Sequence, residues 1–335
     1  MTSSSARSTF SGRSTTDRLF TAAKLVVVAG KGGVGKTTVT AVLANAAADQ
    51  GLRVLVVTLD DRPGLDVLLG GAPGDGATYD GDLVATGRGL SGTGSIHLRT
   101  LSASEALQDY LATQGLARLA KRLVSTGVVD VVASAAPGID DLLVLGKIKH
   151  LVGLAGPDGP HDLVIVDGPA AGHALSLLRS PASIASTVRG GPLRSQAIEI
   201  RDLLRDAQRS RLVLVTLPES TPVSELLETV EQITSDDSRH VNDIGMTLGP
   251  VVVNGVDHAP EIEAVLESGT LDDGDLADAA RYRATRCAVH RREVTRLTEA
   301  LGTSPLLLPH IARSGLTHDD VRYLAEIIAA HDEVS

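Results

Sequence analysis

The residues from Gly30 to Thr37, GKGGVGKT, hold the densest chemistry in the chain. They fit the pattern G-x-x-x-x-G-K-[ST], in which glycines let backbone N–H groups converge on phosphate oxygens. In that pattern Lys36 reaches the outer phosphates of a nucleoside triphosphate and the Thr37 hydroxyl ligates Mg²⁺. Gly30, Gly32, Gly33, Val34, Gly35 and Thr38 complete the cradle. Lys31 is surplus to it. Two lysines so close either face the same polyphosphate or one points outwards. An outward lysine is either solvated or crosses a subunit interface to a nucleotide held by the partner, a trans-acting charge comparable to an arginine finger, worth ~10³ to 10⁵ in rate. The loop alone leaves both readings open.

Other polar residues stand at the ends of apolar runs. Asp60 follows RVLVVTL, Asp167 follows HDLVIV, Asn254 follows VVV, and Pro309 and His310 follow LLL. A carboxylate at a strand end beside a phosphate loop is placed to orient water or to hold Mg²⁺ through water. The Asn254 amide offers a donor and an acceptor, matching the edge of adenine.

The elements that must position these residues are legible around them. LVVVA (25–29) is a continuous apolar run ending at glycines, which predicts a strand buried on both faces. Val39, Val42, Leu43, Ala46 and Ala47 then repeat at helical spacing, and Gly51 ends that helix. Further apolar runs at 53–60, 161–167, 211–217, 249–256 and 305–310 alternate with helical patterns, and 95–101 reads as another strand. The alternation predicts an α/β fold with a mostly parallel sheet flanked by helices. Residues 70–94 are glycine-rich and read as a mobile loop, whereas 102–153 read as mostly helical, opened by a Ser102/Glu105 capping box. The expected organisation is a disordered leader over 1–22, one domain over 23–330 with helical insertions near 102–153 and 175–208, and a tail over 331–335.

Composition narrows the function. The net charge of −10 argues against general nucleic-acid binding. An acidic block over 257–279 precedes a basic one, RYRATRCAVHRREVTR (281–296), a pattern of solvated helix faces that partly neutralise each other. Cys287 is the single cysteine, so a disulfide framework within the chain is excluded and a reducing cytoplasm fits. It shares a stripe with Val294 and Leu301, as a core residue would. No stretch reaches the ~20 apolar residues of a membrane span.

The pattern G-K-G-G-x-G-K-T is the deviant Walker A motif. It resembles that of the partition and division-site ATPases, the nitrogenase iron protein, and the arsenite-transport and tail-anchored-protein-targeting ATPases. Later stretches resemble the arsenite-pump (ArsA) and guided-entry branch. TLDDRPGLDVLLG (58–70) is similar to its switch I, with Asp60 on the water-orienting aspartate, although Asp61, Arg62 and Pro63 depart from the family's P-A-H. VDGPAAGHALSLL (166–178) resembles switch II and carries Asp167, Gly172 and His173. APGIDDLLVLGKIKHL (136–151) is similar to the segment that relays nucleotide state to client-binding helices. Asn254, Pro309 and His310 fall on the family's adenine contacts.

The resemblance implies a P-loop NTPase fold and a cytoplasmic, ATP- and Mg²⁺-dependent ATPase. It implies a homodimer or a heterodimer with a paralogue, with Lys31 and Asp60 catalytic and Thr37 and Asp167 serving the metal. It also implies a membrane-protein or hydrophobic client. With one cysteine and two methionines, neither a thiolate metalloid site nor a methionine-rich tail groove is written here. Two alternatives are a partition or positioning ATPase, and a non-hydrolysing regulatory subunit paired with an active paralogue.

Overall fold

The computed structural model describes residues 20, 23–59, 63–72, 78, 81–87, 94–113, 138–234, 244–269 and 272–331. The expected leader and tail lie almost wholly outside these residues, as do Asp60, Asp61, Arg62 and the stretch 114–137.

In chain order the elements are β1 Leu25–Gly30, α1 Lys36–Asp49, β2 Arg53–Thr58, α2 Leu65–Leu69, β3 Asp82–Thr86, β4 Ser95–Thr100, α3 Ala103–Thr113, α4 Ile139–Gly153, β5 Leu163–Ala170, α5 Ala171–Thr187, α6 Pro192–Arg205, β6 Ser210–Thr216, α7 Ser220–Thr234, β7 Val252–Val256, α8 Pro260–Ser268, α9 Asp275–Leu301, β8 Leu306–Pro309 and α10 His318–His331. The strands form one 8-stranded sheet in the order β3-β4-β2-β5-β1-β6-β7-β8. Every pairing is parallel except that of β3 with β4. The α/β, mostly parallel expectation is thus met.

Burial explains why β1 reads as an unbroken apolar run. All of its residues are buried, and they alternate between two cores. Leu25, Val27 and Ala29 face a layer built by α4, α5, α6 and α7. Val26 and Val28 face a layer built by α1 and α10. β1 and β5 are parallel neighbours, yet the helix after β1 packs on one face and the helix after β5 on the other. Their carboxyl ends therefore diverge around a crevice, the topological switch point at which ligands bind in open α/β sheets.

Three local readings are corrected. Residues 82–86, DLVAT, form the antiparallel edge strand β3 rather than loop, because β4 supplies a partner that glycine-rich flanks do not disclose. β5 does not stop at Asp167 but runs on to Ala170, with its register against β1 shifting between Val28 and Gly30. β7 likewise continues past Asn254 to Val256. Elsewhere local chemistry holds. The Ser102 hydroxyl and Glu105 close the capping box, with Glu105 N–H donating to Ser102 Oγ at 3.3 Å.

Candidate functional site: a phosphate loop at the switch point

The loop leaves β1 under tight steric control. A Cβ on Gly30 would stand 2.4 Å from the Val215 carbonyl oxygen of β6. Gly33 and Gly35 have φ of 83° and 88°, left-handed conformations that favour glycine. Gly35 is the N-cap of α1, and no side chain caps the helix and no acidic residue stands in its first turn. The positive end of α1 is left facing the crevice, an arrangement that favours an anion.

Lys36 opens α1 and is largely buried; its Nζ donates to the Lys31 carbonyl at 3.1 Å, so the side chain curls back over the loop. Lys31 goes elsewhere. Its Nζ meets Glu225 Oε1 of α7 at 2.7 Å, and its side chain is 58% exposed.

The acidic wall comes from β5. Asp167 is 1% exposed and accepts from Thr37 Oγ1 at 2.8 Å and from Thr40 Oγ1 at 3.2 Å. Thr40 was missed in the sequence. It lies three residues beyond Thr37, so the two hydroxyls share a helix face and one carboxylate. Beyond Asp167, Gly168 approaches β1 so closely that a Cβ would lie 2.3 Å from the Val28 carbonyl. Gly172 and His173 are exposed in the first turn of α5. The His173 charge acts on Asp141 at the start of α4, whose carboxyl is held above the usual range by burial first and by Asp140 second.

The far wall comes from β7 and β8. Asn254 Nδ2 donates to the Val34 carbonyl of the loop at 3.0 Å. Pro309 pairs in register with Val256, and His310 N–H donates to the Val256 carbonyl at 2.9 Å. The sheet thus gathers Gly30–Thr38, Asp167, Asn254, Pro309 and His310 at its carboxyl edge. Asp60, two residues past the end of β2, lies outside the described residues.

The basic stretch 281–296 occupies α9, and its arginines are mostly neutralised. Arg281 pairs with Asp273 and Asp278, Arg283 with Asp257, Arg291 with Glu263, and Arg292 and Arg296 with Glu293. Cys287 is fully buried on the same helix, and burial pushes its thiol up, as a core residue's would be.

A cavity of about 780 Å³ opens between α3, α4 and α6. Ala106 and Leu143 give it apolar wall, but Asp109 paired with Lys147 and Glu199 paired with Lys149 also line it. No helix among the described residues is long and apolar enough to cross a membrane.

An open parallel sheet with this loop at its switch point defines a P-loop nucleotide-binding domain. Residues 25–267 match the CobQ/CobB/MinD/ParA nucleotide binding domain, and the chain belongs to that family, in its ArsA-like branch of ATPases. It is similar to ATPase BagA of Mycobacterium tuberculosis, 30% identical over 312 residues that cover 91% of this chain and 81% of that one. The arsenical pump-driving ATPase of Acidiphilium multivorum is 27% identical over 251 residues, which cover 70% of this chain and 39% of the pump ATPase. ATPase GET3B of Arabidopsis thaliana is 24% identical over 242 residues, covering 60% and 58%. The chain is an ATPase, converting ATP and water to ADP and phosphate.

Proposed function

We propose that this ATPase is a dimeric switch that closes around MgATP and opens on hydrolysis, passing that motion to a bound client. The observation that carries the reading is the division of labour between the two loop lysines. Lys36 folds over its own loop, while Lys31 is held out on the surface against α7. In a face-to-face dimer an outward lysine meets the partner's nucleotide, where it stabilises charge developing in phosphoryl transfer.

In this account the loop amides and Lys36 bind the phosphates. The half-buried Thr37 and the buried Asp167, with the buried Thr40 beside them, would hold Mg²⁺. The metal's contribution when bound is to neutralise phosphate charge. Asp60 orients the attacking water. Asn254 engages its Nδ2 with Val34, which leaves Oδ1 to accept from the exocyclic amine of adenine; guanine presents a carbonyl there and is disfavoured.

Nucleotide state passes from Asp167 along β5 into α5. A Cβ added at Gly138, the residue before α4, would lie 3.6 Å from Ser180 Cβ and 3.9 Å from Ile184 Cδ1 of α5, so the two helices run close there and a shift of one is felt by the other. The client surface is assigned to α3, α4 and α6. Its mixed lining suits an amphipathic segment of a membrane protein or other hydrophobic client better than a wholly apolar one. The neutralised arginines of α9 speak against a DNA-partitioning role.

The test is to purify Asp60→Asn, expected to bind ATP without turning it over, from the native host with MgATP, using Lys31→Ala as the open-dimer control. A client that co-purifies with the first and not the second supports the reading. A monomer in both, with and without MgATP, contradicts it.

A further inference from the structure

Just beyond the far wall of the site, Asp257 follows β7 and is 5% exposed. One helix grips it twice. Arg283 of α9 donates Nη2 to Asp257 Oδ1 at 3.0 Å and Nε to both carboxylate oxygens at 3.2 Å. Seven residues on, His290, 3% exposed, accepts the Asp257 backbone N–H on Nδ1 at 2.9 Å. Residues 283, 287 and 290 share one face of α9, with the buried Cys287 packed between the two polar contacts.

The clamp holds the chain three residues after Asn254. Between them Gly255 has φ of 74°, so the backbone turns sharply there and its course depends on what holds the far side. Val256, adjacent to Asp257, accepts from His310 N–H at 2.9 Å, so the later loop is set by the same anchor. An apolar residue would tether β7 to α9 at least as cheaply, since burying a carboxylate requires compensation. What a bidentate guanidinium fork adds is geometric definition.

We infer that Asp257, clamped by Arg283 and His290, is a positioning residue for base recognition, through which α9 sets the affinity and the adenine selectivity of the site. The inference rests on Asn254 contacting the base. The neutral state it needs at His290 is favoured there by burial first and by the nearby Arg286 charge second, both of which hold the imidazole below its usual range.

The experiment measures binding of ATP, GTP and inorganic tripolyphosphate, which has no base, by calorimetry on the full chain. The variants are Asp257→Asn, Arg283→Gln, Arg283→Lys and the double Asp257→Asn/Arg283→Gln, with Asn254→Ala as reference. Arg283 is 45% exposed, so its variants test the clamp without emptying the core. Disrupting the clamp is expected to weaken ATP binding roughly tenfold, the scale of one charged hydrogen bond, to draw the ATP:GTP ratio towards one and to leave tripolyphosphate unchanged. Arg283→Lys should be intermediate and the double variant no worse than either single one. Equal loss for ATP and tripolyphosphate would overturn the inference, since it signals general loosening. An unchanged ATP:GTP ratio in the clamp variants, with Asn254→Ala altering it, overturns the inference alone. An unchanged ratio in Asn254→Ala overturns the base-contact reading and the inference with it.

Discussion

The Lys31 ammonium and the Glu225 carboxylate stand 2.7 Å apart within one chain, joining the phosphate loop to α7. Their side chains are 58% and 34% exposed, so the pair is worth at most about 1 kcal/mol and is readily exchanged for a more highly charged partner. Lys31→Ala is expected to lower turnover about 10³-fold or more, with ATP affinity little changed. Glu225→Gln frees the lysine and should raise turnover at sub-saturating ATP by no more than about fivefold. Steady-state ATPase assays beside equilibrium nucleotide binding separate these outcomes.

The shared carboxylate at Asp167 makes a second prediction. Asp167→Asn keeps the shape but removes the charge, so turnover should collapse while metal-free ATP still binds. Thr40→Val deletes one of its hydroxyl donors and should cost about 1 kcal/mol of stability and shift the Mg²⁺ dependence of turnover to higher concentration. A Mg²⁺ titration unaltered in Thr40→Val would mean that this hydroxyl only packs.

Two glycines of the same loop should differ sharply. Gly35→Ala forces a side chain into φ of 88° and to within 2.2 Å of Asn254 Nδ2. The left-handed backbone alone costs about 1–2 kcal/mol, and the displaced amide should weaken nucleotide binding as well. Gly32 has no atom within 4 Å of a Cβ and no positive φ, so Gly32→Ala should melt close to the parent. Thermal melts with and without ATP check both.

Stability should depend on pH through the buried imidazoles of His290 and His161 and the half-buried one of His97. Burial is the first cause that lowers His290, His161 and His97 below the usual histidine range. Around His290 the Arg286 and His310 charges act in the same direction, while Asp257 and Glu219 oppose. A histidine depressed on folding binds fewer protons native than unfolded. Its stabilising contribution is present above the unfolded value near 6.5 and is lost as pH falls through the folded value. Tm should therefore fall between about pH 7.5 and 5.5. His290→Gln retains an acceptor for the Asp257 N–H, and its Tm should fall less over that interval.

What the sequence disclosed depends on how local each signal is. β1, the loop and α1 were legible because an unbroken apolar run, spaced glycines and a helical repeat fall within one short stretch. Asn254 and Asp167 were found by their place near strand ends, although both strands continue past them, because pairing with neighbours rather than polarity decides where a strand stops. β3 is hidden in the sequence because a short, mostly exposed edge strand has little apolar alternation to show. The neutralisation of α9 was visible as charge blocks, but its particular pairs were not. Glu225 and the Asp257 clamp were invisible for a different reason. Lys31 and Glu225 are 194 positions apart, and Asp257 and His290 are 33 apart, so only the packing of α7 and α9 brings them together.

The most direct test of the central claim mixes two inactive subunits. Lys31→Ala keeps an intact phosphate loop and lacks the outward lysine, whereas Lys36→Ala keeps Lys31 and has a crippled loop. If Lys31 acts across the dimer, the mixed dimer contains one complete site, and combining the two preparations regains ATP hydrolysis that neither shows alone. If turnover of the mixture stays at the sum of the two while mixed dimers form, Lys31 acts within its own subunit and the account is wrong.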